Sequence, residues 1–264
     1  MKPPSDGGIG AVPTYDGDVT RRIAELATDE LLTLVRSGSL DDFQLLDVLR
    51  SPFCTPQIAE LVASMREHLG TQSIREKLAG FPGLNNAKAV NLLGSLPWAS
   101  LLAVAQSPKT PPLVRRQAER KLIHQIQSMS LGEKVAMARR AHRAIFPALI
   151  AGSDDKILAA LLDNPRLVEN DLVVLLATGR PPLEFISTVA RHHRWGRNYP
   201  VRRAIVECSD TPLPLALSIL VQLSKKDQRA IAERDGVSER VRTAAEALWM
   251  RPKPEERRSP EATP

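Results

Sequence analysis

The sequence predicts an all-α fold and, within that class, a curved α-solenoid built from short helix pairs. Apolar residues recur along the chain with the 3.6-residue period of an α-helix. No run alternates β-branched or aromatic residues with polar ones between hairpin turns, as a strand would. Aromatic residues make up only 4% of the 264 residues, which suits interdigitating helices better than a β-sandwich or a barrel.

The clearest helix pair is predicted over 157–177, ILAALLDNPRLVENDLVVLLA. Its first helix places four apolar residues on one face, namely Ile157, Leu158, Leu161 and Leu162. Capping and helix-ending residues bound the pair: Ser153, Asp154, Asp155, Asn164-Pro165, Gly179 and Pro181-Pro182. Helices of ~10 residues are unstable alone in water, so each one must pack against its neighbours.

Variants of this unit recur at 107–122, 208–223 and 234–249, and a further copy with one inserted residue begins at Ser51. Three copies share a Thr-Pro start, in which threonine caps the helix and proline gives up an N–H that has no partner there. The copies are set in register at Pro108, Pro165, Ser209 and Asp235. The interval from Pro165 to Ser209 is shorter than those from Pro52 to Pro108 and from Pro108 to Pro165, so the repeat boundaries stay open.

The predicted organisation has four parts. Residues 1–19 are rich in Gly, Pro and Asp and are predicted to be disordered. Helical repeats are predicted over 20–129 and again over 130–250, where Ser130 and Glu133 match a capping box. A disordered charged tail, RPKPEERRSPEATP, is predicted over 251–264.

The second set of repeats carries a family resemblance. Four strings contribute to it: LGEKVAMARRA, ILAALLDNPRLVENDLVVLLA, HHRWGRNYPVRRAIVECSDTPLPLALSIL and KKDQRAIAERDGVSERVRTAAE. They resemble uncharacterised bacterial helical-repeat proteins that are similar to HEAT-like repeats and to the leucine-rich-repeat-variant type. The resemblance implies a HEAT-like α-solenoid and no established activity. The variant type can hold a cysteine-ligated iron–sulfur cluster, but this chain has only Cys54 and Cys208, so no cofactor is predicted.

Composition bounds the environment and the partners. Two cysteines do not make a disulfide framework, which favours a reducing cytoplasm. The uncharged run 211–224 is shorter than the ~18 residues of a membrane span, and the N-terminus lacks a signal-sequence pattern. We therefore expect a cytoplasmic protein without membrane contact. The formal charge of +6 permits nucleic acid, an anionic surface or an acidic protein as partner and selects none of them.

Arginines concentrate in three places, which together define the candidate binding surface. The densest stretch holds Arg191, Arg194, Trp195, Arg197, Tyr199, Arg202 and Arg203. Two smaller clusters hold Arg139, Arg140 and Arg143, and Arg115 and Arg116. Guanidinium groups near aromatic rings suit phosphate or nucleic-acid contact. In the alternative interpretation Trp195 and Tyr199 pack the joint between two repeats, and whether the clusters share a face stays open.

No catalytic residues are predicted, because the chain has no nucleophile elbow, Walker loop, zinc-protease motif or dinucleotide fingerprint. The adjacent His192 and His193 would point apart on a helix, so no metal site is predicted. We expect a non-enzymatic scaffold that binds another protein, of unknown identity and oligomeric state. A nucleic-acid-binding solenoid is the alternative, and a DNA-glycosylase-like enzyme is a distant third.

Overall fold

The computed structural model describes residues 23–152, 154–178 and 180–251. Within these ranges the regular elements are helices and no strand occurs, so the all-α prediction is confirmed for them. The predicted N-terminal segment 1–19, the predicted tail beyond Arg251, and Ser153 and Gly179 lie outside the described residues. The chain divides into two compact units between Arg120 and Lys121.

Among the described residues from Thr28 onward, the first unit contains six helices and ends within a seventh. They are α1 (Thr28–Arg36), α2 (Asp42–Arg50), α3 (Pro56–Val62), α4 (Gln72–Ala79), α5 (Asn86–Leu93), α6 (Trp98–Gln106) and α7 (Pro112–Ile126). A 3₁₀ turn, His68–Gly70, precedes α4. The boundary between the units falls within α7.

The second unit continues with nine further helices among the described residues. They are α8 (Leu131–Ala138), α9 (Phe146–Ile150), α10 (Asp155–Leu162), α11 (Glu169–Thr178), α12 (Leu183–Arg191), α13 (Tyr199–Glu207), α14 (Leu213–Leu220), α15 (Lys225–Ala232) and α16 (Glu239–Trp249). A 3₁₀ turn, Trp195–Arg197, lies between α12 and α13. The predicted capping box opens α8, where the Ser130 amide donates to Glu133 Oε2 at 2.9 Å.

Within each unit, a helix packs against the helix two positions further along the chain. In the first unit α1 contacts α3, α2 contacts α4, and α4 contacts α6. In the second unit α8 contacts α10, α10 contacts α12, α11 contacts α13, and α14 contacts α16. Helices that follow one another also pack together, as α15 and α16 do. Contacts between helices two positions apart therefore occur alongside contacts between consecutive helices.

The helix pair predicted over 157–177 corresponds to α10 and α11. The four predicted apolar residues of α10 are all buried, which confirms its inward face. Asp154 caps α10 by accepting from the Lys156 amide at 2.9 Å. In α11 only Leu172 and Leu176 of the apolar run are fully buried, and Val174 is 48% exposed. That exposed flank borders a groove described below.

Three buried polar side chains join successive turns. Thr110 Oγ1 donates to the Gly80 carbonyl at 3.4 Å, and Asn164 Nδ2 donates to the carbonyls of Ala138 and Ala141 at 2.7 and 2.9 Å. Trp195 Nε1 donates to the Leu162 carbonyl at 2.8 Å. Gly80, Ala138 and Leu162 stand at the ends of α4, α8 and α10, where the last carbonyls have no partner within the helix. Each donor therefore satisfies the end of an earlier helix.

The residues that set the register of the predicted repeats fall in turns of two kinds. Pro108 and Pro165 lie in turns that join an even-numbered helix to an odd-numbered one, α6 to α7 and α10 to α11. Ser209 and Asp235 lie in turns that join an odd-numbered helix to an even-numbered one. The sequence register therefore crosses from one series of turns to the other. The turn that follows the Asn164 turn in its own series is 192–198, which contains no proline.

Candidate functional site

Several exposed arginines of the second unit lie on three turns, those that follow α8, α10 and α12. Asn164 bonds the second turn to the first, and Trp195 bonds the third to the end of α10. The three turns are therefore adjacent in space. We define the arginine edge as five exposed arginines of these turns, Arg139, Arg140, Arg166, Arg194 and Arg197. Arg143 also lies on the first turn but faces Asp171, so it is not included.

Trp195 does not line a contact surface, because it is only 1% exposed. Its indole N–H is bonded to the Leu162 carbonyl, and its ring is buried in the joint between α10 and the turn after α12. This burial matches the alternative interpretation of Trp195 as a packing residue. The Arg194 guanidinium carbon lies 4.1 Å from the centroid of the Trp195 ring, a cation–π contact. Trp195 thus acts as a support that orients Arg194.

The turn that carries Trp195 is tightly folded, and Gly196 permits this. A Cβ at Gly196 would lie 2.2 Å from the Ala190 carbonyl oxygen. The Gly196 amide donates to the His192 carbonyl at 2.8 Å, so the backbone has little room to move away. Close backbone approach therefore requires glycine at this position.

His192 ties the same turn to the preceding one through Asp163. Its Nδ1 accepts from the amides of Arg194 and Trp195 at 3.3 and 3.4 Å, so the neutral ring carries its proton on Nε2. That Nε2 donates to Asp163 Oδ1 at 3.2 Å. The imidazole therefore caps the turn 192–198 and joins it to Asp163 at the end of α10.

Asp163, His192 and His193 also have the composition of a metal-ligand group, since their ligand atoms lie within 4.8 Å of one another. The sequence could not reveal the carboxylate, because Asp163 comes from another turn. A metal at His192 Nε2 would require the lone pair where the proton sits and would move that proton to Nδ1, which faces two N–H donors. The exposed guanidinium groups of Arg194 and Arg197 on the same turn add repulsion for a cation. The hydrogen bond is the better account of this cluster.

The second half of the candidate stretch is engaged in contacts between helices. Arg203 Nε donates to Glu207 Oε1 at 2.8 Å, and its Nη1 pairs with Asp227 Oδ1 at 3.0 Å. The bond to Glu207 raises the pKa of Arg203. Tyr199 Oη donates to Asp227 Oδ2 at 2.5 Å and accepts from the Ser224 amide at 2.9 Å.

Hydrogen bonds hold the pKa of Asp227 below its usual range, first the one from Ser224 and then the one from Tyr199. Arg202 is engaged as well, donating to Gln222 Oε1 at 2.5 Å. Tyr199, Arg202 and Arg203 thus join α13 to the α14–α15 region. The structure does not place them on the arginine edge.

The remaining candidate arginines do not belong to the arginine edge. Arg191 is exposed and donates to the Ser187 carbonyl of its own helix at 3.2 Å. Arg143 Nε lies 3.6 Å from Asp171 Oδ1, with its side chain 71% exposed. Arg115 and Arg116 lie on α7 in the first unit. Arg166 was not predicted. It lies on the turn after α10, and Arg139 and Arg194 lie on the turns after α8 and α12.

One carboxylate–imidazole pair lies in the first unit. His68 Nδ1 is 2.5 Å from Asp42 Oδ1, and Thr71 donates to the other oxygen of Asp42. The bonds from Thr71 and then His68 lower the pKa of Asp42. Asp41 caps α2 by accepting from the Gln44 amide at 2.8 Å. Asp42 instead joins α2 to the 3₁₀ turn before α4.

Among the described residues, no helix combines the length and the apolar character that a membrane crossing requires. Comparisons with protein-family models, with curated proteins and with solved structures found no match. The functional proposal is therefore drawn from the geometry of the site.

Proposed function

We propose that this protein is a non-enzymatic binding module, a HEAT-like helical-repeat scaffold whose arginine edge contacts an acidic segment of another protein. The single observation that carries the proposal is the set of five exposed arginines on three hydrogen-bonded turns of the second unit. Guanidinium groups bind carboxylates through paired N–H donors, so a row of them suits a run of Asp or Glu.

The packing pattern supports the solenoid part of the proposal. Contacts between helices two positions apart are what stacked helix pairs produce. Hydrogen bonds between side chains, or between a side chain and the backbone, join residues about one repeat apart, at separations of 26 residues for Asn164 and Ala138, 29 for Asn198 and Glu169, and 28 for Tyr199 and Asp227. Stacked repeats create long surfaces along which one kind of side chain can recur from turn to turn.

An acidic protein is favoured over nucleic acid by the state of the aromatic residues. Binding of single-stranded nucleic acid relies on exposed rings that stack with bases. Trp195 is buried, and Tyr199, which is 40% exposed, lies outside the arginine edge with its hydroxyl bonded to Asp227 and Ser224. The same aromatic residues are what a glycosylase-like enzyme would use to hold an extruded base. Duplex binding through phosphates alone remains the second candidate, and the row of guanidinium groups is the observation that favours it.

The test is a binding titration of fluorescently labelled polyglutamate and of labelled duplex DNA, each at low salt and at about 0.15 M salt. We expect polyglutamate to bind, and the double variant Arg194→Glu/Arg197→Glu to weaken it at least about tenfold, since two ion pairs are replaced by repulsion. Lys156→Glu/Arg240→Glu is the matched control. It makes the same change of charge on exposed residues in the first turns of α10 and α16, away from the three turns.

Equal loss of affinity in both double variants would show a non-specific charge effect and would overturn the proposal. Tighter binding of the duplex than of polyglutamate at the higher salt, with a steep salt dependence, would favour the nucleic-acid candidate instead. Absence of binding to either ligand at low salt would remove the functional role of the arginine edge.

A further inference from the structure

The second unit contains a groove that the arginine edge does not use. It has a volume of about 610 Å³ and is lined by α9, by α11 and by the segment after α11. The groove exists because α9 has five residues and α11 has ten, so part of α11 has no helix of equal length beside it. Its volume is in the range of small-molecule sites, roughly 300–1,000 Å³.

The walls of this groove are apolar. Phe146 and Ile150 contribute from α9 and are buried beneath it, while Val174 and Leu175 contribute from α11. Val174 is 48% exposed, although it is a β-branched residue inside a helix with a buried core face. An apolar ligand in the groove would remove this surface from water, which is favourable in proportion to the area covered.

The rim of the groove carries two cations and one carboxylate, namely Arg143, Arg180 and Asp171. Asp171 Oδ1 faces Arg143 Nε at 3.6 Å, and Asp171 Oδ2 accepts from the Val168 amide at 3.2 Å. The carboxylate thus already has two partners, and Arg180 is left as the cation that an incoming anion can pair with. The groove is therefore apolar along its length and positively charged at its rim.

Arg180 also has an unusual backbone. Its φ is +41°, and no other non-glycine residue among those described has a positive φ. This conformation is strained for a residue with a Cβ, and such strain concentrates at functional sites. The two prolines that follow restrict the backbone after Arg180, so the guanidinium is presented from a stiff segment.

We propose that this groove binds an apolar organic anion, a molecule with a hydrocarbon or aromatic body and a single carboxylate or sulfonate group. The body lies between Phe146 and Val174, and the anionic group pairs with Arg180. This site is independent of the arginine edge, because neither Val174 nor Arg180 belongs to it.

The probe for the test is 1-anilinonaphthalene-8-sulfonate, an aromatic sulfonate whose fluorescence rises in apolar surroundings. We expect saturable binding at one site per chain, with displacement by dodecanoate and not by dodecyltrimethylammonium. Val174→Gln is expected to weaken binding at least about tenfold. Val168→Gln is the matched control, because Val168 is equally exposed at 50% and does not line the groove.

Arg180→Gln is expected to abolish the preference for dodecanoate over the ammonium compound while leaving some affinity for the apolar body. Arg194→Glu/Arg197→Glu is expected to bind the probe as the unaltered protein does, which separates this site from the proposed function. Equal probe binding by Val174→Gln and Val168→Gln would overturn the proposal. Equal displacement of the probe by dodecanoate and by dodecyltrimethylammonium would also overturn it. A Val174→Gln variant that lost polyglutamate binding but kept probe binding would overturn it as well.

Discussion

The arginine-rich stretch 191–203 contains two halves that differ in their surroundings. In the first half, Arg194 and Arg197 stay exposed on a turn, and Arg194 rests on a buried tryptophan. In the second half, Arg203 is paired with Glu207 and Asp227, and Tyr199 shares the same carboxylate. The two halves have similar composition, yet only in the first are the guanidinium groups exposed to solvent on a turn.

The difference arises from which groups bind the nearby carboxylates. Asp227 stands at the start of α15, and Arg203 of α13 pairs with it. The turn 192–198 faces the end of α10 and the start of α11, where Asp163 is bonded to His192 and Glu169 is bonded to Asn198. A dense run of arginine therefore predicts a cationic surface only where other side chains bind the neighbouring carboxylates.

The largest expected effect comes from removing the support of the first half. Trp195→Ala replaces a fully buried indole, so we expect a loss of about 3–5 kcal/mol in the free energy of unfolding. The measurement is denaturant unfolding followed by circular dichroism. The variant should also lose polyglutamate affinity at denaturant-free conditions where it remains folded, because Arg194 loses its platform.

Trp195→Phe is the control that keeps the result interpretable if the alanine variant does not fold. Phenylalanine retains most of the apolar burial but leaves the Leu162 carbonyl without its donor, which costs about 1–3 kcal/mol. A decrease of less than about 1 kcal/mol in the free energy of unfolding of Trp195→Ala would contradict the role of Trp195 in packing the turn 192–198 against the end of α10.

An intermediate effect is expected when the two halves are compared directly. Arg203→Ala leaves Glu207 and Asp227 with fewer partners, and we expect it to lower the free energy of unfolding by about 1–2 kcal/mol. This loss of stability is small because the Arg203 side chain is 37% exposed and solvent screens its pair with Glu207. Arg194→Ala is expected to change stability by no more than about 0.5–1 kcal/mol, since only an exposed cation–π contact is lost.

For polyglutamate binding the order should reverse, with Arg194→Ala weakening it and Arg203→Ala leaving it unchanged. Thermal or denaturant unfolding and a binding titration on the same two proteins provide both measurements. If Arg203→Ala reduced binding more than Arg194→Ala, the division of the stretch into a surface half and a structural half would be wrong.

Much of the helical architecture was predictable because it depends on local rules. The apolar face of α10, the cap at Asp154 and the capping box at Ser130 follow from spacing over three or four residues. The contacts of Tyr199, Arg202 and Arg203 were not predictable, because their partners Gln222 and Asp227 are 20 or more residues away. The turn 192–198 was not recognised as a counterpart of the Asn164 turn, because it carries a tryptophan and no proline.

The smallest effect is a pH dependence that belongs to the structural half. The bonds from Ser224 and Tyr199, together with Arg203, hold the pKa of Asp227 below its usual range in the folded protein. A depressed folded pKa means that the unfolded state binds the proton more readily, so the stabilisation is present above about pH 4 and is lost as the pH falls below it. We expect Asp227→Asn to be less stable than the unaltered protein at pH 6 by about 1 kcal/mol, and the difference to shrink toward pH 3.

Unfolding curves of the two proteins between pH 3 and pH 6 measure that difference, and acidic groups elsewhere cancel because both proteins contain them. Asp210→Asn removes the same charge from an exposed turn and controls for the change in net charge. A difference between the unaltered protein and Asp227→Asn that stays constant over this range would mean that the Asp227 carboxylate gains nothing from its partners. In that case Asp227 would not hold Tyr199 and Arg203, and the structural role of this half would rest on the Arg203–Glu207 pair alone.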